Sequence, residues 1–357
     1  MNKAKSSLSD PVCPLPELCQ TVQQNCHIAD ARYAADYTLC IYLLKMREFY
    51  RWEHNLPFSS ALDNEAVGIW LRSRETHWED LETVEFSPLT IETQNFNPFD
   101  TDDINQALEP HGLVYSGGLG LKSKPHFFLG KLHNRHEVDG YTVYISDNEF
   151  ARDLAAPPAM TLDRTIFVRR ESLKRLVWEK LEEWRWNRPE NAMARAIAHY
   201  DFAANLDTAL DAMTENELNS ALLHEIGEVE AGHYLGEEWE QMLAELPHSK
   251  TEIMLRALRD HLADAISTLP RLLEQEHTPS LHFYFANLSS MRKHLYPSLH
   301  KAYQQWHESK DVRPLQNQVN RGRDHWQSMA DNALELYRQQ GHEARHAIES
   351  LLEDSRL

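Results

Sequence analysis

At 357 residues, 42% of them apolar and 25% charged, the chain has the composition of a globular protein and room for two domains, or for one core with an insertion. Its formal net charge of −19 argues against a nucleic-acid or anionic-membrane surface, which would need a basic patch. No apolar run approaches the roughly 18 residues of a membrane span. The start, MNKAKSSLSDPVCPLP, lacks the apolar stretch of a signal peptide, so the expected compartment is a reducing cytoplasm. Cys13, Cys19, Cys26 and Cys40 show no CxxC spacing, and neither a disulfide framework nor a zinc ribbon is expected.

Residues 1–28 read as a loosely held leader, because Pro11, Pro14 and Pro16 interrupt a polar stretch. Residues 29–88 read as N-terminal helices. One runs over about 31–53, with Tyr37, Cys40, Ile41 and Leu44 recurring at i, i+3, i+4 spacing, and a second runs from Asn64 to about Leu81. Arg47, Tyr50, Arg51 and Trp52 could face a ligand, although aromatic residues at helical spacing favour a core.

Residues 89–169 carry most of the glycines and read as a small α+β subdomain. HFFLGKL (126–132) and GYTVYIS (140–146) are rich in β-branched and aromatic residues and predict a β-hairpin across the polar NRHEVD. YSGGLG (115–120), ahead of Lys122 and Lys124, lacks the Gly-Lys-Ser/Thr of a phosphate loop and reads as a turn. From residue 170 to 357 the pattern is all-helical, with helices expected at 170–187, 190–212, 215–232, 236–245, 250–275, 280–307 and 318–353. Thr214 and Glu217 form a capping-box pattern, and Pro270 and Pro297 should kink or end helices. Arg169 and Arg170 could bind an anion, yet a solvated helix explains them as well. The expected fold class is therefore mainly α, a helical bundle with a small α+β (β-hairpin) insertion.

The chemistry concentrates in two segments. In LLHEIGEVEAGHYLG (222–236), His224 and Glu228 are four residues apart and project from one helix face, with Glu225 beside them. In LRALRDHLADAISTLPRLL (255–273), Asp260 and Asp264 share a face at i, i+4 and His261 lies at i, i+3 from Asp264. Acids among so many apolar neighbours are costly to bury unless a cation or metal pairs with them. The competing explanation is a surface ladder of ion pairs through Glu252, Arg256 and Arg259.

The first segment resembles the "LLHD-x-x-E-x-x-x-GD" stretch of HD-domain metal-dependent phosphohydrolases, and Leu262 to Ile266 is similar to their "AD-x-L" context. The resemblance covers residues 199–270 and implies an all-helical metal site. His199, His224, Glu225 and Asp264 would hold the ion, with Asp260 and His261 close by, and Glu228 would act as acid/base. Glu225 stands where that family has its paired aspartate. In DYTLCIYLLKMREFYRWE and YSGGLG the chain also resembles an uncharacterised family of bacterial proteins.

The expectation is thus a divalent-metal-dependent enzyme (Mn, Mg, Fe or Co) acting on a small phosphorylated substrate, with metal-bound water as the attacking group. One alternative is a helical di-iron oxidase or oxygenase drawing on Glu48 or Glu53 and Glu75 or Glu79. Another is a non-catalytic helical protein whose acidic surface meets a basic partner.

Overall fold

The structure is a computed structural model that describes residues 12–120, 124–247 and 249–357. It divides into two compact units: the first is Met1–Glu179 with Phe202–Thr214, the second Lys180–Asp201 with Glu215–Leu357.

The first unit opens with helices α1 (Pro16–Tyr33), α2 (Leu39–Glu53) and α3 (Asn64–Glu79). Much of the expected leader is thus helix: Leu18, Val22, Cys26 and Ile28 of α1 are buried, and Pro16 sits in its first turn, where no N–H is needed. Cys13 and Cys19 are joined in a disulfide, contrary to expectation; Cys26 is buried and Cys40 exposed.

A two-stranded ribbon follows, β1 (Leu89–Ile91) and β2 (Gln94–Phe96), and then α4 (Thr101–Leu108). Five strands come next: β3 (Leu113–Leu119), β4 (Pro125–Val138), β5 (Tyr141–Arg152), β6 (Ala159–Leu162) and β7 (Thr165–Arg169), ordered β3-β4-β5-β7-β6 in one sheet. β5 and β7 are parallel and the other pairs antiparallel. Alternation sorts the side chains. Tyr115, Phe127, Leu129 and Ala151 pack with α1, α4 and β1, while Val114, Phe128, Tyr144 and Phe167 form a second cluster.

The expected fold class is corrected: the first unit is an α+β domain built on a mixed sheet, not a hairpin inserted in a helical bundle. The hairpin itself is longer than expected. NRHEV (134–138) is paired strand, and the reversal falls at Asp139 and Gly140, both at positive φ (49° and 84°) as a tight hairpin turn requires. YSGGLG is not a turn; most of it is strand β3. Its Gly117 is dictated by crowding, since a Cβ there would lie 2.1 Å from the Pro98 carbonyl oxygen. Lys122, expected beside it, lies outside the described residues.

Within helix α5 (Arg170–Arg185) the chain enters the second unit, which is all-helical. It holds α6 (Ala192–Ile197), most of α7 (Leu206–Glu245), α8 (Lys250–Ala263), a π turn (Asp264–Thr268), α9 (Leu269–Glu274), α10 (Thr278–Asn287), α11 (Ser290–Leu295), α12 (Pro297–Ser309), α13 (Arg313–Gln340) and α14 (Arg345–Asp354). Trp239, Leu258, Phe285, Tyr303 and Trp326 lie in its core. Three expected helices are broken up: 190–212 by the stretch after α6, 280–307 at Ser289 and Pro297, and 318–353 at Gly341. Ser289 caps α11 by accepting from the Arg292 N–H. The Thr214–Glu217 capping box is not a helix start. Thr214 lies inside α7 and donates to the Leu210 carbonyl, one turn back.

Among the described residues no helix is long and apolar enough to cross a membrane.

Candidate functional site

The second unit brings α7 and α8 together at a point where Gly227 has no side chain to hold them apart. A Cβ on Gly227 would lie 2.4 Å from the Ala263 carbonyl oxygen. Ser267 of the π turn ties the same contact, donating to the Leu223 carbonyl at 2.7 Å. The π turn itself stands just before Pro270, which lacks an N–H for the regular helical ladder.

This approach sets His224 against Asp264. Nδ1 of the imidazole lies 3.2 Å from Oδ1 of Asp264 and Nε2 lies 3.3 Å from Oε1 of Glu228. Asp264 is buried, and its other oxygen accepts from Tyr284 (2.9 Å) and from Arg292. Arg292 also donates to the Tyr284 hydroxyl, and Arg259 pairs with Glu228 at 3.2 Å.

The charges follow from these contacts. Burial by itself would raise Asp264, but Arg292 and the His224 and Tyr284 hydrogen bonds outweigh it and hold the carboxyl well below the usual carboxylate range. Burial would likewise pull His224 down, yet its hydrogen bonds to Asp264 and Glu228 keep the imidazole protonated well above its ordinary value. Glu228 is held low despite burial, by His224 and Arg259. Asp260, partly buried nearby, is pushed up by desolvation, an effect Arg292 partly offsets.

The remaining expected ligands lie apart from this contact. His261 is buried, stacked on Trp326 (ring centroids 5.0 Å apart) with Nε2 2.9 Å from the Arg292 carbonyl oxygen, and burial draws its pKa down to about 3. It is a neutral core histidine. His199 is exposed beside His282, at 5.9 Å between centroids. Glu225 is partly buried and is neither of the two carboxylates that His224 binds. The expected ladder exists in part, Arg256 pairing with Glu252.

As arranged, these residues do not fit a divalent ion. Both ring nitrogens of His224 and both oxygens of Asp264 are committed, and Arg292 already supplies the cation that Asp264 needs. Among the described residues, no group of three or more His, Cys, Asp or Glu side chains is placed to hold a metal. The acids expected of a di-iron centre also have protein partners: Glu48 pairs with Arg51, Glu53 with Arg74, and Glu75 accepts from Tyr42.

The first unit holds a cleft of about 870 Å³. Its walls come from the end of α2 (Glu48, Arg51, Trp52), the following loop with Phe58, the end of β5 (Asp147, Arg152), the start of α5 (Arg170, Glu171, Lys174, Arg175), and Asp207 and Asp211 of the returning chain. Behind it lies a buried ion pair between neighbouring parallel strands. Arg169, ending β7, donates to both oxygens of Glu149 on β5 (2.9 and 2.7 Å), and Ser172 adds a third bond at 2.6 Å. Arg152 is only 3% exposed, yet it reaches the same carboxylate at 3.7 Å only, and stacks on Trp52 with its guanidinium 4.7 Å from the ring centroid. Burial lowers its pKa to about 10, and the already shared Glu149 offsets this only in part. Glu171 accepts from the Glu149 N–H at 2.6 Å; burial and the Glu149 charge push it up to about 7.

The sequence signals for this cleft were Arg51 with Trp52 and Arg169 with Arg170, all explained above as core or solvated helix. Arg292, with His294, falls in a helix that the sequence leaves ambiguous, outside the expected site.

Two family models match the chain: the N-terminal domain of a family of unknown function (DUF6866) over residues 17–169, and its C-terminal domain over residues 174–355. Neither is an HD-domain phosphohydrolase, so that resemblance is corrected. No curated protein and no solved structure matches. Together the two domain matches span nearly all of the described sequence, and the chain belongs to the DUF6866 family.

Proposed function

We propose that this chain binds a small molecule in the cleft of its first unit. The observation that carries this reading is the pair Arg152 and Arg175. Both line the cleft, and the buried Nε of each has no hydrogen-bond partner among the described residues. A buried donor without an acceptor costs about 1–3 kcal/mol, and a ligand that supplies the acceptor recovers it. The cleft volume lies in the ordinary range for small-molecule sites. Ligand-observed NMR of the full chain against a fragment library tests this, repeated with Arg152→Met and Arg175→Met. Binders lost in both variants support the reading; if every binder ignores both substitutions, the cleft is not the site.

The meeting of His224 with Asp264 favours a second reading, chemistry at the second unit's cluster. Either His224 transfers protons there, or a divalent ion (Mn, Mg, Fe or Co) acts on a small substrate once Arg292 has released Asp264. Elemental analysis of untagged protein separates the two. Metal present in the wild type and lost in His224→Ala supports the ion.

A further inference from the structure

The cleft's own charges restrict what it can hold. Three pairs neutralise each other directly: Glu48 with Arg51 (3.1 Å), Asp147 with Arg170 (3.3 Å) and Asp211 with Lys174 (2.6 Å). Arg152 remains on the basic side with Arg175, whose charge Glu179 offsets from outside the lining, and Glu171 and Asp207 remain on the acidic side. Arg175 binds Glu179 at 2.9 Å and the Ala156 carbonyl at 2.6 Å through its terminal nitrogens. Among the described residues the polar contacts of the Arg152 guanidinium are the long one to Glu149 and a 3.3 Å bond to the Glu48 carbonyl. Depth then sets Asp207 and Asp211 apart from the two arginines, while Glu171, whose carboxylate accepts from the Glu149 N–H, stays at the floor. Arg152 and Arg175 are 3% and 7% exposed, whereas Asp207 is partly exposed and the Asp211 side chain is 54% exposed.

A positive floor under a negative mouth discriminates between ligands. A dianion would satisfy the floor but meet Asp207, the mouth carboxylate outside those three pairs, on the way in. A simple cation would suit the mouth but face buried guanidinium groups. A molecule carrying both signs satisfies each end, and Trp52 and Phe58 add apolar surface to the lining. We infer that the ligand is a small zwitterion of amino-acid type, its carboxylate seated on Arg152 and Arg175 and its ammonium held near Asp207. This assignment rests on the cleft being the ligand site.

Isothermal titration of the full chain tests it, with the common amino acids, their methyl esters, their N-acetyl forms, succinate and inorganic phosphate as probes. At least one free amino acid is expected to bind. Its methyl ester should bind about tenfold more weakly, and so should the amino acid to Arg152→Met, because each loses a charge-assisted hydrogen bond. Asp207→Asn, a mild change at the mouth, should weaken the free amino acid but not its N-acetyl form, which keeps the assignment testable should Arg152→Met fold poorly. Succinate or phosphate binding more tightly than every amino acid, and lost in Arg152→Met, overturns the zwitterion while leaving the cleft as a ligand site. Binding that neither substitution changes overturns both. If no probe binds, the zwitterion is wrong, and the fragment experiment decides the cleft independently.

Discussion

In the second unit the buried carboxylate of Asp264 meets His224, Tyr284 and Arg292, and its ionised form is favoured. In the first unit the buried guanidinium of Arg152 meets one distant carboxylate and one backbone carbonyl, and its ionised form is disfavoured. Arg292 shows the converse shift: burial would lower it, but the Asp264 charge raises it instead. Among the described residues Arg292 and Arg259 also have a partnerless Nε, but neither lines the cleft. What distinguishes the two clusters is the balance of charge, together with the open cleft beside Arg152. A compensated cluster needs no ligand to balance its charge. A cluster left short of negative charge beside an opening suits a ligand.

The largest expected effect breaks the compensated side. Arg292→Met strands the Asp264 carboxylate in the interior, and removing one partner of a buried pair costs about 3–5 kcal/mol. Urea denaturation of the variant should show that loss. A change under 1 kcal/mol would mean that Asp264 is hydrated and that the closed-cluster description is wrong. Gly227→Ala attacks the same cluster through the backbone. The new Cβ meets the Ala263 carbonyl, so α7 and α8 must part, at a cost of about 1–3 kcal/mol typical of overpacking. The separation should also shift the His224 NMR titration toward that of an ordinary imidazole.

How far these features could be read from the sequence depends on the range of the interaction that makes them. The convergence of His224 and Glu228 follows from i, i+4 spacing, a local property. That Asp264 faces them needs only the apolar stripe of α8 and a small residue, Gly227, at the crossing. Arg292 was out of reach: it comes from α11, and nothing in its own neighbourhood marks the carboxylate it meets. The sheet was missed for a similar reason. The glycines of β3 look like a turn until β4 pairs with them, and the parallel pairing of β5 with β7 joins segments with β6 between them. In the cleft, periodicity shows that Arg51 and Trp52 lie on one face of α2 but not what that face looks onto.

The acid Glu217 sharpens the comparison inside the second unit, because it is buried against a hydroxyl, from Ser280 at 2.7 Å, where Asp264 has a guanidinium. Burial raises its pKa from about 4.5 to about 7. The folded state therefore binds more protons than the unfolded state between those values, and stability falls as pH rises across that window, then levels off. Glu217→Gln should abolish that fall and gain about 1–2 kcal/mol at pH 8. The pH dependence of the urea midpoint measures it, and a variant that follows the wild type would show Glu217 to be compensated. His224 runs the other way. Its raised pKa contributes stability that is complete below about pH 6.5 and is lost as pH climbs through the folded value. His224→Gln should flatten the alkaline limb only.

The smallest effect is the most diagnostic. Arg152→Met removes a buried cation whose charge the first unit compensates poorly, and it replaces that cation with an apolar chain of similar reach against Trp52. Replacing a buried ion by a well-packed hydrophobic residue is often neutral or stabilising. The expected change in unfolding free energy is thus within about 1 kcal/mol, with stabilisation the more informative sign. Stabilisation would mark Arg152 as a cation the fold does not need. A loss comparable to that of Arg292→Met would instead make Arg152 a structural cation like its counterpart, and the contrast between the two clusters would vanish.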